Sequence, residues 1–186
     1  MIIGISGRKG SGKSSAARAI LHEYGPAVCV ELDFALPLKN LCAAVFGAPV
    51  RALWGSEQEK CEIIERLGMS GRQLLQSVGQ GFREIYPDVW TELWMKEALA
   101  RLEHSRMIVA ADVRYPNEIG AVRALGGRVI RLERRIDDDG HRSECELDKV
   151  DRKLFDLVVP AEAGLDEMNE AILGRVAEWW MADGGR

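Results

Sequence analysis

The feature that most constrains this chain is a run near its start, Gly7-Arg8-Lys9-Gly10-Ser11-Gly12-Lys13-Ser14. It fits GxxxxGK[ST] at every fixed position. Glycines at this spacing let successive backbone N–H groups curl around phosphate oxygens with no Cβ in the way. A helix opening near Lys13 adds its positive end. Lys13 is placed to bridge β- and γ-phosphates, and the Ser14 hydroxyl to coordinate Mg²⁺. Arg8, Lys9, Ser11 and Ser15 complete the set expected at the nucleotide. At average glycine usage such a pattern arises by chance in about one chain of this length in a hundred, so context decides. The motif must follow a strand and open a helix. Ile2-Ile3-Gly4-Ile5 precedes it and Ser15-Ala16-Ala17-Arg18-Ala19-Ile20-Leu21 follows. A dinucleotide GxGxxG cannot be laid on the same turn.

Beyond this loop the chain alternates short β-branched runs with longer helical stretches, which predicts an α/β fold, a parallel sheet covered by helices. The expected strands are Met1–Ser6, Ala27–Leu32, Arg106–Ala111, Gly127–Leu132 and Phe155–Val159. Helices are expected from about Lys13 to Glu23 and from about Leu165 to Met181. Between Pro37 and His104 the pattern is mostly helical, with breaks at Gly47–Pro49, Gly68–Ser70 and Tyr86–Pro87. The length suits one domain spanning 1–186. Two insertions interrupt it: a helical one at approximately 34–104 and a charged stretch at 134–149 carrying Asp137-Asp138-Asp139-Gly140. That stretch reads either as a solvated surface loop or as a lid over a nucleotide.

The loop fixes phosphate binding and leaves the reaction open, because switches, motors and kinases share it. Asp112 closes the expected third strand, where a carboxylate can hold Mg²⁺ through water; a turn residue is the bland alternative. Asp33 ends the second strand, at the sheet edge where ligands gather. It is a candidate to orient or deprotonate an acceptor hydroxyl or to share the metal, and equally a helix N-cap. Phosphoryl transfer spreads negative charge, so cations should surround it. Arg72, Arg83, Arg114, Arg131, Arg134 and Arg135 are the candidates. Phe34, Leu38, Leu41 and Val45 form an apolar helix face whatever else they do. Trp90 and Trp94, at i and i+4, read as core, with base stacking on Trp90 as the alternative. His141 is the histidine best placed for a site; His22 and His104 fall near helix ends.

The net charge is −4, against the basic excess of a nucleic-acid backbone binder. Cys29, Cys42, Cys61 and Cys145 are scattered, without metal spacing. They read as reduced thiols in a cytoplasmic protein. No stretch approaches the ~18 apolar residues of a membrane span.

Several segments together resemble the deoxynucleoside monophosphate kinases of the type found in tailed phages, within the P-loop nucleoside monophosphate kinase group. They are Gly7–Ser14, Phe34-Ala35-Leu36-Pro37-Leu38-Lys39, Ser70-Gly71-Arg72-Gln73-Leu74-Leu75-Gln76 with Gly79, Arg83 and Trp90, Asp112-Val113-Arg114-Tyr115-Pro116-Asn117-Glu118, and His141-Arg142-Ser143-Glu144. The resemblance implies a P-loop NTPase fold with a five-stranded parallel sheet, and ATP with Mg²⁺ at the loop. It also implies an acceptor nucleotide at the helical insertion, bound through Phe34, Lys39, Arg72, Gln76, Arg83, Trp90 and Arg114. His141 and Glu144 would contact substrate from the lid. Lys13, Asp33, Arg83, Arg134 and Arg135 would act on the transferring group, with Ser14 and Asp112 on the metal. Leu36 stands where the family commonly has Asp, and Val159-Pro160-Ala161 replaces the usual Asn-containing end of the last strand.

The leading expectation is ATP-dependent phosphorylation of a deoxynucleoside monophosphate by a monomer or homodimer. A P-loop kinase for another small acceptor, such as a nucleoside or dephospho-coenzyme, and a nucleotide-binding regulatory ATPase stay open beside it.

Overall fold

The computed structural model describes residues 1–134, 147, 150–160 and 164–185. These fall into two compact units, Met1–Asp33 with Met95–Arg186, and Phe34–Trp94.

The first unit is built on a sheet of parallel strands. β1 (Ile2–Gly7) lies at its centre, β5 (Met107–Val113) on one side with β2 (Cys29–Glu31) beyond it, and β6 (Arg128–Glu133) on the other with β7 (Leu157–Pro160) beyond. The order β2-β5-β1-β6-β7 gives five strands, as the sequence pattern implied. Central strands of a sheet covered on both faces must be apolar throughout, and every residue of β1 is buried. Helices α1 (Lys13–Tyr24), α7 (Pro116–Ala124) and α8 (Leu165–Ala182) accompany the sheet. Ile3, Ile5, Ala16, Ile20, Val109 and Ile172 belong to one continuous core.

β2 is shorter than the expected Ala27–Leu32, although the Val28 carbonyl still accepts from the Arg106 and Met107 N–H groups and the Leu32 N–H donates to the Val109 carbonyl at 2.9 Å. β5 runs longer than expected, to Val113. Its pairing with β1 slips by one residue: Gly4 faces Ala110 but Ser6 faces Val113. One extra residue is therefore taken up at Ala111–Asp112, a bulge that bends the strand and re-aims its side chains. Asp112 lies inside the strand at that bulge rather than closing it.

The second unit holds α2 (Leu36–Phe46), α3 (Val50–Trp54), α4 (Glu57–Cys61), the strands β3 (Ile63–Ile64) and β4 (Met69–Ser70), α5 (Gly71–Ile85) and the start of α6 (Val89–Leu102). The expected breaks at Gly47–Pro49, Gly68–Ser70 and Tyr86–Pro87 all separate helices or end one. The antiparallel β3–β4 pair was not foreseen in this largely helical stretch. Leu38, Cys42, Leu53, Leu74 and Trp90 form the core of this unit. No helix among the described residues is long and apolar enough to cross a membrane.

Candidate phosphate and acceptor sites

The loop after β1 has the conformation that its glycines were expected to allow. Gly10 and Gly12 take φ of 77° and 100°, in the region open chiefly to glycine. A Cβ on Gly7 would collide with the Ser11 hydroxyl and lie 2.9 Å from the Leu132 carbonyl oxygen. Gly12 caps α1 through its carbonyl, which accepts from the Ser15 and Ala16 N–H groups at 2.9 Å. No side chain caps that end and no acid occupies the first turn, so the positive end of α1 is left for an anion. Gly12 also lets α8 come close: a Cβ there would meet Met168 at 3.0 Å.

Lys13 is only 8 % exposed. Its ammonium donates to the Gly7 carbonyl at 2.6 Å and the Arg8 carbonyl at 2.8 Å, curling over the loop it closes. Ser11 has a buried Oγ with no hydrogen-bond partner. A buried hydroxyl left unmade is costly, and a phosphate oxygen is the acceptor this loop is shaped to bring. The residues present thus fit a polyphosphate. Ser14 at the exposed start of α1 and half-buried Asp112 at the bulge offer the hard oxygen donors that Mg²⁺ takes.

Two arginines of this unit contact the loop or the strand before it. Arg134 donates from Nη1 to the Gly10 carbonyl at 3.3 Å. Arg131, 8 % exposed, donates to the Ser6 hydroxyl at 3.0 Å and lies 5.7 Å from the centre of the Phe155 ring. Asp33 accepts the Ala111 N–H on Oδ1 at 3.1 Å, which ties the end of β2 to the bulge of β5. Lys9 is exposed, while Arg8, Ser15 and Arg114 are half-buried. Arg135, His141 and Glu144, with most of the charged stretch, lie outside the described residues.

The sequence reading gave Glu118 no role. It is 2 % exposed, and one carboxylate oxygen accepts both the Arg114 N–H at 2.6 Å and the Tyr115 N–H at 3.0 Å. This fastens the turn by which the chain leaves Asp112. Glu three residues after a helix N-cap is a recognised spacing, so the signal was present in Tyr115-Pro116-Asn117-Glu118.

In the second unit, Arg72, Gln76, Gly79 and Arg83 fall at i, i+4, i+7 and i+11 of α5, one stripe of a helix. The Ser70 hydroxyl accepts the Gln73 N–H and the Gln73 side chain accepts the Ser70 N–H, a reciprocal cap that sets where α5 starts. Gly79 keeps the stripe narrow: a Cβ would stand 3.0 Å from Leu38 and 3.4 Å from Arg83 Nη1. Lys39 lies 6.0 Å from the Trp54 ring centre. Phe34 and Trp90 are each 2 % exposed. Phe34 stacks on Trp94 with ring centres 4.2 Å apart, and Trp90 donates its indole N–H to the Gly79 carbonyl at 3.1 Å. Both rings are packed as core, so a base could stack on either only after its neighbours moved.

No family model matches the chain. Among solved structures it is similar to shikimate kinase from Aquifex aeolicus vf5, with 13% identity and a TM-score of 0.45 over 97% of this chain and 99% of that one. Among curated sequences it is 30% identical, over 95% of its own length and 96% of the relative's, to a protein of Acanthamoeba polyphaga mimivirus named provisionally as a deoxynucleotide monophosphate kinase. With that identity sustained from end to end, the chain belongs to the deoxynucleotide monophosphate kinase family of P-loop enzymes.

Proposed function

We propose that the enzyme moves the γ-phosphoryl group of ATP to the phosphate of a deoxynucleoside monophosphate, giving ADP and the deoxynucleoside diphosphate. The observation that carries the ATP reading is the loop itself, with an unpartnered Ser11 hydroxyl buried in it and the Lys13 ammonium held on its Gly7 carbonyl. The relative's name supports a deoxynucleotide acceptor, and the Arg72–Gln76–Arg83 stripe supplies donors suited to its phosphate.

In this reading Lys13 releases the Gly7 and Arg8 carbonyls and neutralises charge on the transferring group. Mg²⁺, when bound through Ser14 and the Asp112 carboxylate, supplies further neutralisation of the phosphates. The bond between the γ-phosphorus and its bridging oxygen breaks, and an acceptor phosphate oxygen forms the new one. The acceptor is already an anion, so no strong base is required. Arg83, Arg134 and Arg135 stabilise the charge that spreads in the transition state. Asp33 ties the end of β2 to β5 through the Ala111 N–H.

The test is ADP release with Mg-ATP against the four deoxynucleoside monophosphates, their ribo counterparts and a blank without acceptor. ADP formation should depend on a deoxynucleoside monophosphate. Lys13→Ala should lower kcat/KM by about 10²–10³-fold, the scale of losing one preorganised donor to the reacting group, with the melting temperature little changed. Release without an acceptor would replace this reading with a regulatory ATPase.

A further inference from the structure

Arg72 has surroundings that acceptor binding alone does not explain. Its side chain is 21% exposed, whereas that of Glu57, its partner on α4, is 57% exposed. The Arg72 Nη2 donates to the Glu57 carboxylate, and the Cys61 thiol lies against the same guanidinium. Burial works against the charge of Arg72, but the Cys61 and Glu57 contacts outweigh it and leave its pKa raised. The Arg72 Nε is buried and has no hydrogen-bond partner.

Two points follow from chemistry. A guanidinium fork accepts a carboxylate and a phosphate in the same way, so the Glu57 carboxylate occupies Arg72 as an anionic ligand would. The burial is also unequal. Glu57 can turn into water at little cost, and Lys60, with its ammonium 3.6 Å from Glu57 Oε1, remains beside it. Arg72 is fixed in the first turn of α5 and cannot leave. The exchangeable member of the pair is therefore Glu57.

We propose that Glu57 is an acceptor-specificity residue: its carboxylate holds Arg72 until a phosphate monoester dianion displaces it, so neutral and singly charged acceptors are disfavoured. The proposal rests on reading Arg72 as a donor to the acceptor phosphate. A monoester carries about −1.5 to −2 charge at neutral pH and three acceptor oxygens. It outcompetes one carboxylate at Nη2 and also satisfies Nε. A nucleoside offers neither.

The variant Glu57→Gln keeps the shape and removes the charge. Its KM for a deoxynucleoside monophosphate should fall about 2- to 5-fold, the scale of a half-exposed ion pair, while the KM for ATP stays put. Glu57→Asp should restore the wild-type value. In an Arg72→Ala background Glu57→Gln should change nothing. The singly charged methyl ester of the same monophosphate should inhibit Glu57→Gln more strongly than wild type. Separately, the Arg72 ¹⁵Nε resonance of the full chain is followed during titration with inorganic phosphate, which should bind Glu57→Gln about 2- to 5-fold more tightly. A raised or unchanged acceptor KM, with unchanged phosphate affinity, overturns the role of Glu57. Tighter phosphate binding to Glu57→Gln, with no turnover of any monophosphate by either protein, upholds Glu57 at Arg72 and overturns the proposed reaction instead.

Discussion

At the scale of single residues, Glu118 shows how a buried carboxylate can fix the backbone next to a candidate site residue. A carboxylate taken out of water must be compensated, and here the backbone N–H groups of Arg114 and Tyr115 contribute to that. Hydrogen bonds to an ionised acceptor are about twice as strong as neutral ones. They hold the turn directly after the bulge that carries Asp112. Glu118→Ala strands both N–H groups, and unfolding in urea should show a loss of about 2–3 kcal/mol. Steady-state kinetics should show kcat reduced more than the KM for ATP, because Asp112 loses its position while the loop at Lys13 is untouched. Glu118→Gln, which keeps an acceptor oxygen, should recover most of both. Lost stability with normal kcat would make Glu118 a purely structural cap.

At the scale of elements, the decisive contacts are backbone against backbone, and glycines mark them. A Cβ on Gly71 would run into the Ala52 carbonyl oxygen of α3 and lie 2.7 Å from its carbonyl carbon, neither of which can yield. Gly71→Ala should therefore shift α5 on α3 at a cost of about 1–3 kcal/mol. The adjoining Arg72 should move with it, raising the acceptor KM and leaving ATP binding alone. Gly81, on the same helix with nothing within 4 Å of its Cβ position, is the control. There alanine should be neutral or stabilise by up to about 1 kcal/mol. The elements legible in the sequence were those whose pattern is local. The Gly7–Ser14 loop, the apolar runs of β1, β5 and β6, and the breaks around α5 all announce themselves in adjacent residues. What escaped depends on partners far away. The β3–β4 pair rests on two residues a side, too few for alternation to show. The bulge at Ala111–Asp112 exists only in register with β1. The candidate site divides in the same way: Lys13 and Ser14 are expected from spacing, and the Arg72–Glu57 pair is not, because it joins two helices.

At the scale of the whole molecule, the Phe34–Trp94 unit interrupts the connection between β2 and β5, two strands that must nevertheless pair, Cys29 to Met107 and Glu31 to Val109. Closing a long insertion costs entropy that grows only slowly with its length, so the demand falls on its ends rather than on its size. Those ends are the stacked rings: Phe34 and Trp94 are the first and last residues of the second unit, 4.2 Å apart and inclined by 21°. Trp94 is fully buried. Trp94→Ala removes the stack and leaves a cavity, at a cost of about 3–5 kcal/mol. Each unit has its own apolar core, so this loss should fall first on the second unit. The loop at Gly7–Ser14 should stay folded on β1. Titration of Trp94→Ala with a fluorescent ATP analogue should then give an affinity within a few-fold of wild type. In the same preparation, phosphorylation of the deoxynucleoside monophosphate should be largely abolished, and urea should reveal an early transition. If nucleotide affinity disappears together with acceptor turnover in a single transition, the two cores unfold as one cooperative body, and the stack secures the phosphate loop as much as the insertion.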